Sequence, residues 1–252
     1  MEIFRDIKNR FDFIDIIPDQ SKILEIGPYC APLKRGKNVK YFDIADKKQL
    51  DEWAAAEGIA NIFPLTSTSV PDIDYVSPIG DLSIIHEYFD YVISSHVIEH
   101  QVDLIAHLQG VENILNSGGY YFIVIPDKRY IFDHFRQESN IAHVISAHIE
   151  RKTKCSLGDV IDANIFCTHN DALRHWKNDH GTKPAPLKAY VEEALKQFYK
   201  PVWKGHMFCF TPDSFKEIFY AAKEMEYTKL ELIKLYTTIY NQVEFCVILK
   251  KS

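Results

Sequence analysis

Apolar and polar positions follow two regimes along the chain. Up to residue 125, short apolar runs alternate with stretches of helical period. The runs at Ile23, Leu24 and Ile26, at Val39, Tyr41 and Phe42, at 73–76, at 91–95 and at 120–125 predict five strands. The last is wholly apolar, as parallel strands buried on both faces are. Between them, residues 2–12 place Ile3, Phe4, Ile7 and Phe11 on one face of a helix expected to pack on the sheet edge. Residues 46–57 predict a second helix with Asp46 as cap and Gly58 as stop. Residues 59–71, rich in Ser, Thr and Pro, read as irregular, and 77–82 as a loop carrying Asp81. Residues 103–115 hold Leu104, Ile105, Leu108, Val111 and Leu115 at helical spacing, ended by Asn116 to Gly119. Strands alternating with helices over this length predict a doubly wound parallel sheet.

The alternation stops at Pro126. From there to about Gly205 there is no strand signal, and the pattern predicts two helices, about 139–153 and 187–199, around a polar middle. Regularity returns with His206 to Phe210. Thr211-Pro212-Asp213 then caps a helix to about Met225, with proline at its first position. The runs 229–240 and 243–250, joined by Asn241-Gln242, predict a closing antiparallel hairpin. There is no internal repeat and no low-complexity linker.

Chemistry enters at residues 22–43, KILEIGPYCAPLKRGKNVKYFD. A strand, a tight turn, a brief crossover and a second strand tipped by an acid suit a nucleoside. Gly27 lets the ligand approach the backbone, and Asp43 can accept from both ribose hydroxyls. A dinucleotide would want G-x-G-x-x-G and a helix N-terminus on its pyrophosphate. Here Gly27 is followed by Pro28 and, four residues later, Pro32, which withhold two donors. That is a poor phosphate cradle and a reasonable seat for a nucleoside with a cationic sulfonium and an amino-acid tail, which seeks acceptors such as Glu25. An ordinary turn between strand and helix reads the same way.

Composition narrows the classes. A chain of 252 residues, 46% hydrophobic and 25% charged, suits one large soluble α/β domain. Net charge −6 argues against nonspecific nucleic-acid binding. Five cysteines without a C-x-x-C pair read as free thiols in a reducing compartment. The charged, amphipathic start is no signal peptide, and no apolar run is long enough to span a membrane. The expected location is the cytoplasm.

The strand-turn-acid opening, FDYVISSHVIEH and ILNSGGYYFIVIPDKRYIFDHFR together resemble class I S-adenosylmethionine-dependent methyltransferases. They resemble most the methyltransferases of bacterial surface-polysaccharide (capsule and O-antigen) clusters, which share E-I-G-P, S-H-V-x-E-H and P-D-K-R-x-x-F-D-H-F-R. The block from Thr168 to Gly181, T-H-N-D-x-x-R-H-W-x-x-D-H-G, and the H-x-x-x-F-T-P-x-S-F element at 206–215 extend the resemblance over most of the chain. It implies one domain, 1–252, with a Rossmann-like, doubly wound, seven-stranded sheet, mostly parallel with one antiparallel strand near the C-terminus. A helical insertion after strand 5, 126–205, would form an acceptor-binding cap. It also implies S-adenosylmethionine as cofactor and S-adenosylhomocysteine as product. Glu25, Gly27 and Pro28 would line the methionine end, Asp43 the ribose, and Ile44 the adenine. Asp81 would accept from the adenine amino group, Leu82 would pack on the ring, and Ser95 and His96 would present backbone to the sulfonium. The turn departs from the superfamily's G-x-G, which leaves the detailed contacts at 28–32 open.

The histidines leave several readings open. His96 and His100 stand at metal-ligand spacing, but H-V-I-E-H is not H-E-x-x-H, so packing or capping is expected and no metal site is assigned. His169, His175 and His180, with Asp171 and Asp179, form a metal site, a solvated loop or the acceptor pocket. The pocket is favoured, because ligands bind beyond the carboxyl ends of such strands. A sugar hydroxyl must lose its proton as it attacks, and a neutral histidine suits that task. His134, His169 and His206 are the candidates, with His169 first because Asn170 and Asp171 could orient it. An anionic acceptor needs no base; Lys128, Arg129, Arg136 and Arg174, with His175 beside them, would then hold phosphate or carboxylate. A solvated charged face fits those cations equally. The expected activity is methyl transfer to an oxygen of a surface-glycan precursor, a sugar hydroxyl or a phosphoryl or phosphoramidate oxygen. The acceptor is a small molecule; oligomeric state is open. The rivals are a nicotinamide-dependent oxidoreductase on the same sheet and a catalytically silent scaffold.

Overall fold

The computed structural model describes residues 5–57, 69–200, 203 and 205–252. Within them seven strands form one sheet: β1 (Ile23–Ile26), β2 (Val39–Asp43), β3 (Tyr75–Val76), β4 (Phe89–Ser95), β5 (Leu115–Pro126), β6 (Glu231–Tyr236) and β7 (Glu244–Lys250). Their order is β3-β2-β1-β4-β5-β7-β6. The pairs from β3 to β5 are parallel, and β7 runs antiparallel to both β5 and β6. The chain winds outward from β1 to β3 and then restarts at β4 on the other side of β1. The crevice where ligands bind on such sheets therefore opens at the carboxyl ends of β1 and β4.

Alternation along the strands divides the core. Leu24, Val92, Ile123 and Val247 face one side with Ile105, Phe215 and Phe219, while Ile23, Ile93, Phe122 and Ile248 face the other with Phe13 and Ile14. Each fully buried side chain of this size contributes about 1.5–3 kcal/mol. The first side packs under helices α3 (Leu104–Ile114) and α8 (Pro212–Glu224), capped by Asp103 and Thr211.

The amino-terminal helix is not the one the pattern predicts. Ile3 and Phe4 lie outside the described residues. The helix, α1 (Arg10–Ile14), starts where the Asn9 side chain accepts from the Phe11 and Asp12 amides, so Phe13 and Ile14 are buried and Phe11 is 62% exposed. Helix α2 (Lys47–Ala56) is closed at its start by a reciprocal Asp46–Gln49 capping box; Gly58 and most of 59–71 lie outside the described residues. Strand β5 begins directly after α3, because Gly118 and Gly119 exchange backbone hydrogen bonds with Lys251 and so extend the strand instead of only ending the helix.

After β5 come α4 (Ile141–Ile149), α5 (Leu157–Ile165), α6 (Ala172–Trp176) and α7 (Leu187–Phe198). The polar middle thus holds two helices where none was expected. Ser156 and Asp159 form a capping box on α5, Asp171 caps α6, and Val160 and Ala194 bury the contact side of α5 and α7. Residues 206–210 form no strand. They are stitched in by one bridge from Phe210 to Asp127 and by the Met207 and Phe208 amides, which donate to the Glu99 carbonyl.

Candidate active site

The loop after β1 is shaped by one glycine and one buried acid. Gly27 has φ +66°, and a Cβ there would lie 2.6 Å from Cγ2 of Val97, so both backbone and neighbour demand glycine. Pro28 follows, and Tyr29 also has positive φ, 45°. Glu25 accepts from the Leu33 amide at 2.7 Å and the Lys34 amide at 3.1 Å. Burial pushes its carboxyl up to about 7, against the pull of those amides. Each of its oxygens accepts one amide and so folds the 28–34 loop, with a second lone pair left on each.

Asp43 ends β2 on the same edge, buried, with Oδ1 accepting from the Ile44 amide at 2.7 Å. The Ile44 side chain is partly exposed. Asp81 accepts from the Ser83 amide and hydroxyl at 2.9 and 2.8 Å, capping a 3-10 turn at Leu82–Ile84. Those bonds hold its carboxyl below the usual range. Leu82 is buried in the core beside Gly110 and not on an open ring-stacking face, because its 3-10 turn points it at α3.

At the end of β4, His96 takes φ 54°, and its amide donates to the Val124 carbonyl at 3.0 Å. Its Nε2 lies 2.8 Å from Oε2 of Glu244. Arg10 donates to Glu244 Oε1 at 2.7 Å and to Ser95 Oγ at 3.2 Å. Neither Arg10 nor Glu244 was singled out from sequence, since they lie 234 residues apart.

One turn further, at Ile98–His100, sits Glu99, with 0% exposure and no hydrogen-bond partner for either carboxylate oxygen among the described residues. Three imidazole nitrogens surround Oε1: His96 Nδ1 at 3.6 Å, His100 Nε2 at 3.8 Å and His206 Nε2 at 3.9 Å. His206 donates through Nδ1 to Oδ2 of Asp133 at 2.5 Å, and His100 through Nδ1 to the Gly205 carbonyl at 3.1 Å. Burial pushes Glu99 up to about 7 and His100 down to about 3. Burial also works to raise Asp133, but His206 and Arg136 outweigh it and leave that carboxyl lowered. Arg136, buried, donates to Asp133 at 3.0 Å, to the His206 carbonyl at 2.9 Å and to Asp162 at 2.7 Å.

A family model described as "Methyltransferase domain" matches residues 3–223, most of the chain. The chain belongs to this methyltransferase family. Its cofactor is S-adenosylmethionine. No protein of curated description matches by sequence. A Rhodobacter sphaeroides protein, provisionally described as a Zn-dependent alcohol dehydrogenase, is similar in structure at TM-score 0.50 and 14% identity, covering 100% of this chain and 94% of its own. An S-adenosylmethionine-dependent methyltransferase from Clostridium acetobutylicum gives 0.48 and 12%, covering 98% and 93%. The CcbJ methyltransferase from Streptomyces caelestis gives 0.48 and 10%, covering 96% and 88%. At 14% identity the first likeness speaks for the fold alone, and the family match carries the assignment, which sets the oxidoreductase reading aside.

The methyltransferase gathers four more histidines, His134, His169, His175 and His180, in a second cluster. His134 stacks on His180 with ring centroids 3.7 Å apart, and the Nδ1 atoms of His175 and His180 lie 3.0 Å apart. These nitrogens are mostly engaged: His134 Nδ1 by the Arg129 carbonyl at 2.9 Å, and His175 Nε2 by the His169 carbonyl at 3.1 Å. His169, ranked first as base, donates through Nε2 to the Asp179 carbonyl at 3.0 Å and accepts the Asp171 amide at Nδ1, 3.2 Å. Both of its nitrogens are therefore committed to holding the loop. Asp171 does not orient His169 with its carboxylate; it caps α6 through the Arg174 amide, and Asn170 is exposed.

The four cations expected beside this cluster do not form one anion-binding face. Lys128 is buried and donates to the His134 carbonyl at 2.8 Å. Arg129 pairs with Asp127 at 2.6 Å, Arg174 with Asp179 at 2.7 Å, and Arg136 with Asp133 and Asp162. Each charge meets a partner within the chain: an acid two, three and five residues away for Arg129, Arg136 and Arg174, and a backbone carbonyl for Lys128. Tyr130 stacks on Trp176 at 4.0 Å and ties α6 to the turn after β5. No described helix is long and apolar enough to cross a membrane.

Proposed function

We propose that this methyltransferase works in the cytoplasm and transfers a methyl group from S-adenosylmethionine to a sugar hydroxyl of a surface-glycan precursor. The supporting observation is the Asp133–His206 pair at the carboxyl edge of the sheet, at 2.5 Å. With Nδ1–H given to Asp133, His206 turns an unprotonated Nε2 inward. In the reaction a hydroxyl oxygen attacks the methyl carbon in line, the carbon–sulfur bond breaks, S-adenosylhomocysteine leaves, and the hydroxyl proton must be taken up. Of the three candidate histidines, His206 has the arrangement for this; His169 and His134 hold the loop. An anionic phosphoryl acceptor is disfavoured because Lys128, Arg129, Arg136 and Arg174 are already paired. Gly27, Pro28, Asp43, Ile44, Asp81, Ser95 and His96 line the cofactor in this reading, and the helices of 126–205 cover the acceptor and keep water out.

The test is incubation with S-adenosylmethionine and a panel of sugars, nucleotide-sugars and sugar phosphates, read by mass spectrometry. The expected result is a methyl ether on a sugar oxygen with release of S-adenosylhomocysteine. Methylation of a phosphoryl oxygen, a nitrogen or no panel member overturns the acceptor assignment. Absence of cofactor affinity favours the silent scaffold.

A further inference from the structure

We propose that Glu99, His100 and His206 form a binding site for a divalent first-row transition metal ion, with zinc the best chemical match. The argument starts from an arrangement that hydrogen bonding does not explain. Nitrogens of His96, His100 and His206 approach one oxygen of a fully buried carboxylate at 3.6, 3.8 and 3.9 Å. Those separations are too long for hydrogen bonds. Ligand atoms around one zinc ion, bound at about 2.0–2.1 Å, stand about 3.3 Å from each other. One ligand atom each from Glu99, His100 and His206 lies within 4.8 Å of the others, so modest side-chain rotations close the gap.

The outward nitrogens decide what the inward ones are. Nδ1 of His206 donates to a carboxylate and Nδ1 of His100 to a backbone carbonyl. In its neutral form each imidazole has one donor, so with Nδ1 donating outward both Nε2 atoms turn lone pairs toward Glu99. Lone pairs that face a carboxylate repel it unless a proton or a metal ion sits among them, and a metal ion satisfies all three groups at once. The Asp133–His206 contact is also the carboxylate–histidine arrangement that orients metal ligands. Two imidazoles and one carboxylate are a common set for zinc or iron(II) with an open coordination position. His206 and Glu99 are buried, while the side chains of His100 and His96 are 36% and 31% exposed, leaving a way in. The other histidine cluster has no orphaned carboxylate, and most of its ring nitrogens meet carbonyls, an amide or one another.

Metal binding stands without the acceptor assignment. One extension rests on that assignment: a hydroxyl bound to the ion loses its proton more readily, and His206 then serves as ligand and not as proton acceptor.

The experiment strips the full chain with a chelator, returns Zn²⁺ or Co²⁺, and measures metal content by mass spectrometry and cobalt by its visible absorption. The expected result is one ion per chain in wild type and in His180→Ala, and its loss in Glu99→Gln and in His100→Gln. Asp133→Asn should weaken the ion about 10–100-fold. His100→Gln, at a partly exposed position, carries the test if Glu99→Gln fails to fold. The site is refuted if wild type takes up no stoichiometric ion, or if the ion survives Glu99→Gln and His100→Gln but is lost in His180→Ala. S-adenosylhomocysteine binding, measured on the same samples, separates failure of the methyltransferase reading from failure of the metal site.

Discussion

Two buried glutamates stand at neighbouring strand ends, Glu25 in β1 and Glu99 just after β4, and burial pushes both to about 7. Their surroundings could hardly differ more. Glu25 accepts two backbone amides and closes a loop, so both its oxygens have partners within the chain. Glu99 has three imidazole nitrogens near it, at 3.6–3.9 Å, and no hydrogen-bond partner among the described residues. A buried acid with its bonds made is architecture, and one without them points to a ligand or a reaction.

The largest effect should come from the histidine in front of Glu99. His206→Ala is expected to lower kcat by about 10²–10⁴-fold, the range of a lost proton acceptor. His169→Ala should cost less than about tenfold; equal losses in both would erase the contrast between the two clusters. On the Glu25 side, Glu25→Ala strands the Leu33 and Lys34 amides and should destabilise the fold by roughly 2–4 kcal/mol, measured by urea unfolding. A smaller cost would mean that the loop is held elsewhere.

Acidity separates structural from functional acids in a second way. Glu25 has a folded-state pKa near 7 against an ordinary 4.5, so the folded chain holds that proton more tightly. Its contribution is most favourable below 4.5, declines as pH rises to 7, and is flat above. The span is roughly 3 kcal/mol. Comparing wild type with Glu25→Gln by urea unfolding across that window should show the slope in the former and its loss in the latter. Next, Asp43→Ala should weaken S-adenosylmethionine by about 1.5–3 kcal/mol, the worth of a hydrogen bond to a charged group, read by calorimetry. Unchanged affinity would remove Asp43 from the ribose. The smallest effect belongs to Glu99→Gln in chelated protein, whose melting temperature should stay level or rise, because an unpaired buried charge is removed. A marked fall would show that Glu99 is architecture after all.

The sheet was legible in sequence because its signal is local. Apolar runs of strand length, the caps at Asp46 and Thr211, and the antiparallel pairing of the last two strands each depend on residues close in the chain and are found in the structure, although residues 237–243 and not Asn241-Gln242 alone join those strands. Helices α5 and α6 carried a local signal as well, in the Ser156–Asp159 box and the Asp171 cap, but the density of charge around them masked it. Strand β7 between β5 and β6, the engagement of His169 by Asp179, and the Arg136–Asp162 pair depend on which segments pack together.

By itself, then, the sequence determined a parallel sheet with one glycine, Gly27, and one acid, Asp43, at adjoining strand ends, because strand period and turn chemistry act over a few residues. Only the tertiary structure decided which histidine faces which acid. His206 reaches Glu99 and Asp133 across more than seventy residues of chain, through the Met207 and Phe208 amides anchored on the Glu99 carbonyl. Polar residues crowd the 169–180 block; burial, which no single segment controls, leaves Glu99 as a buried acid without a hydrogen-bond partner among the described residues.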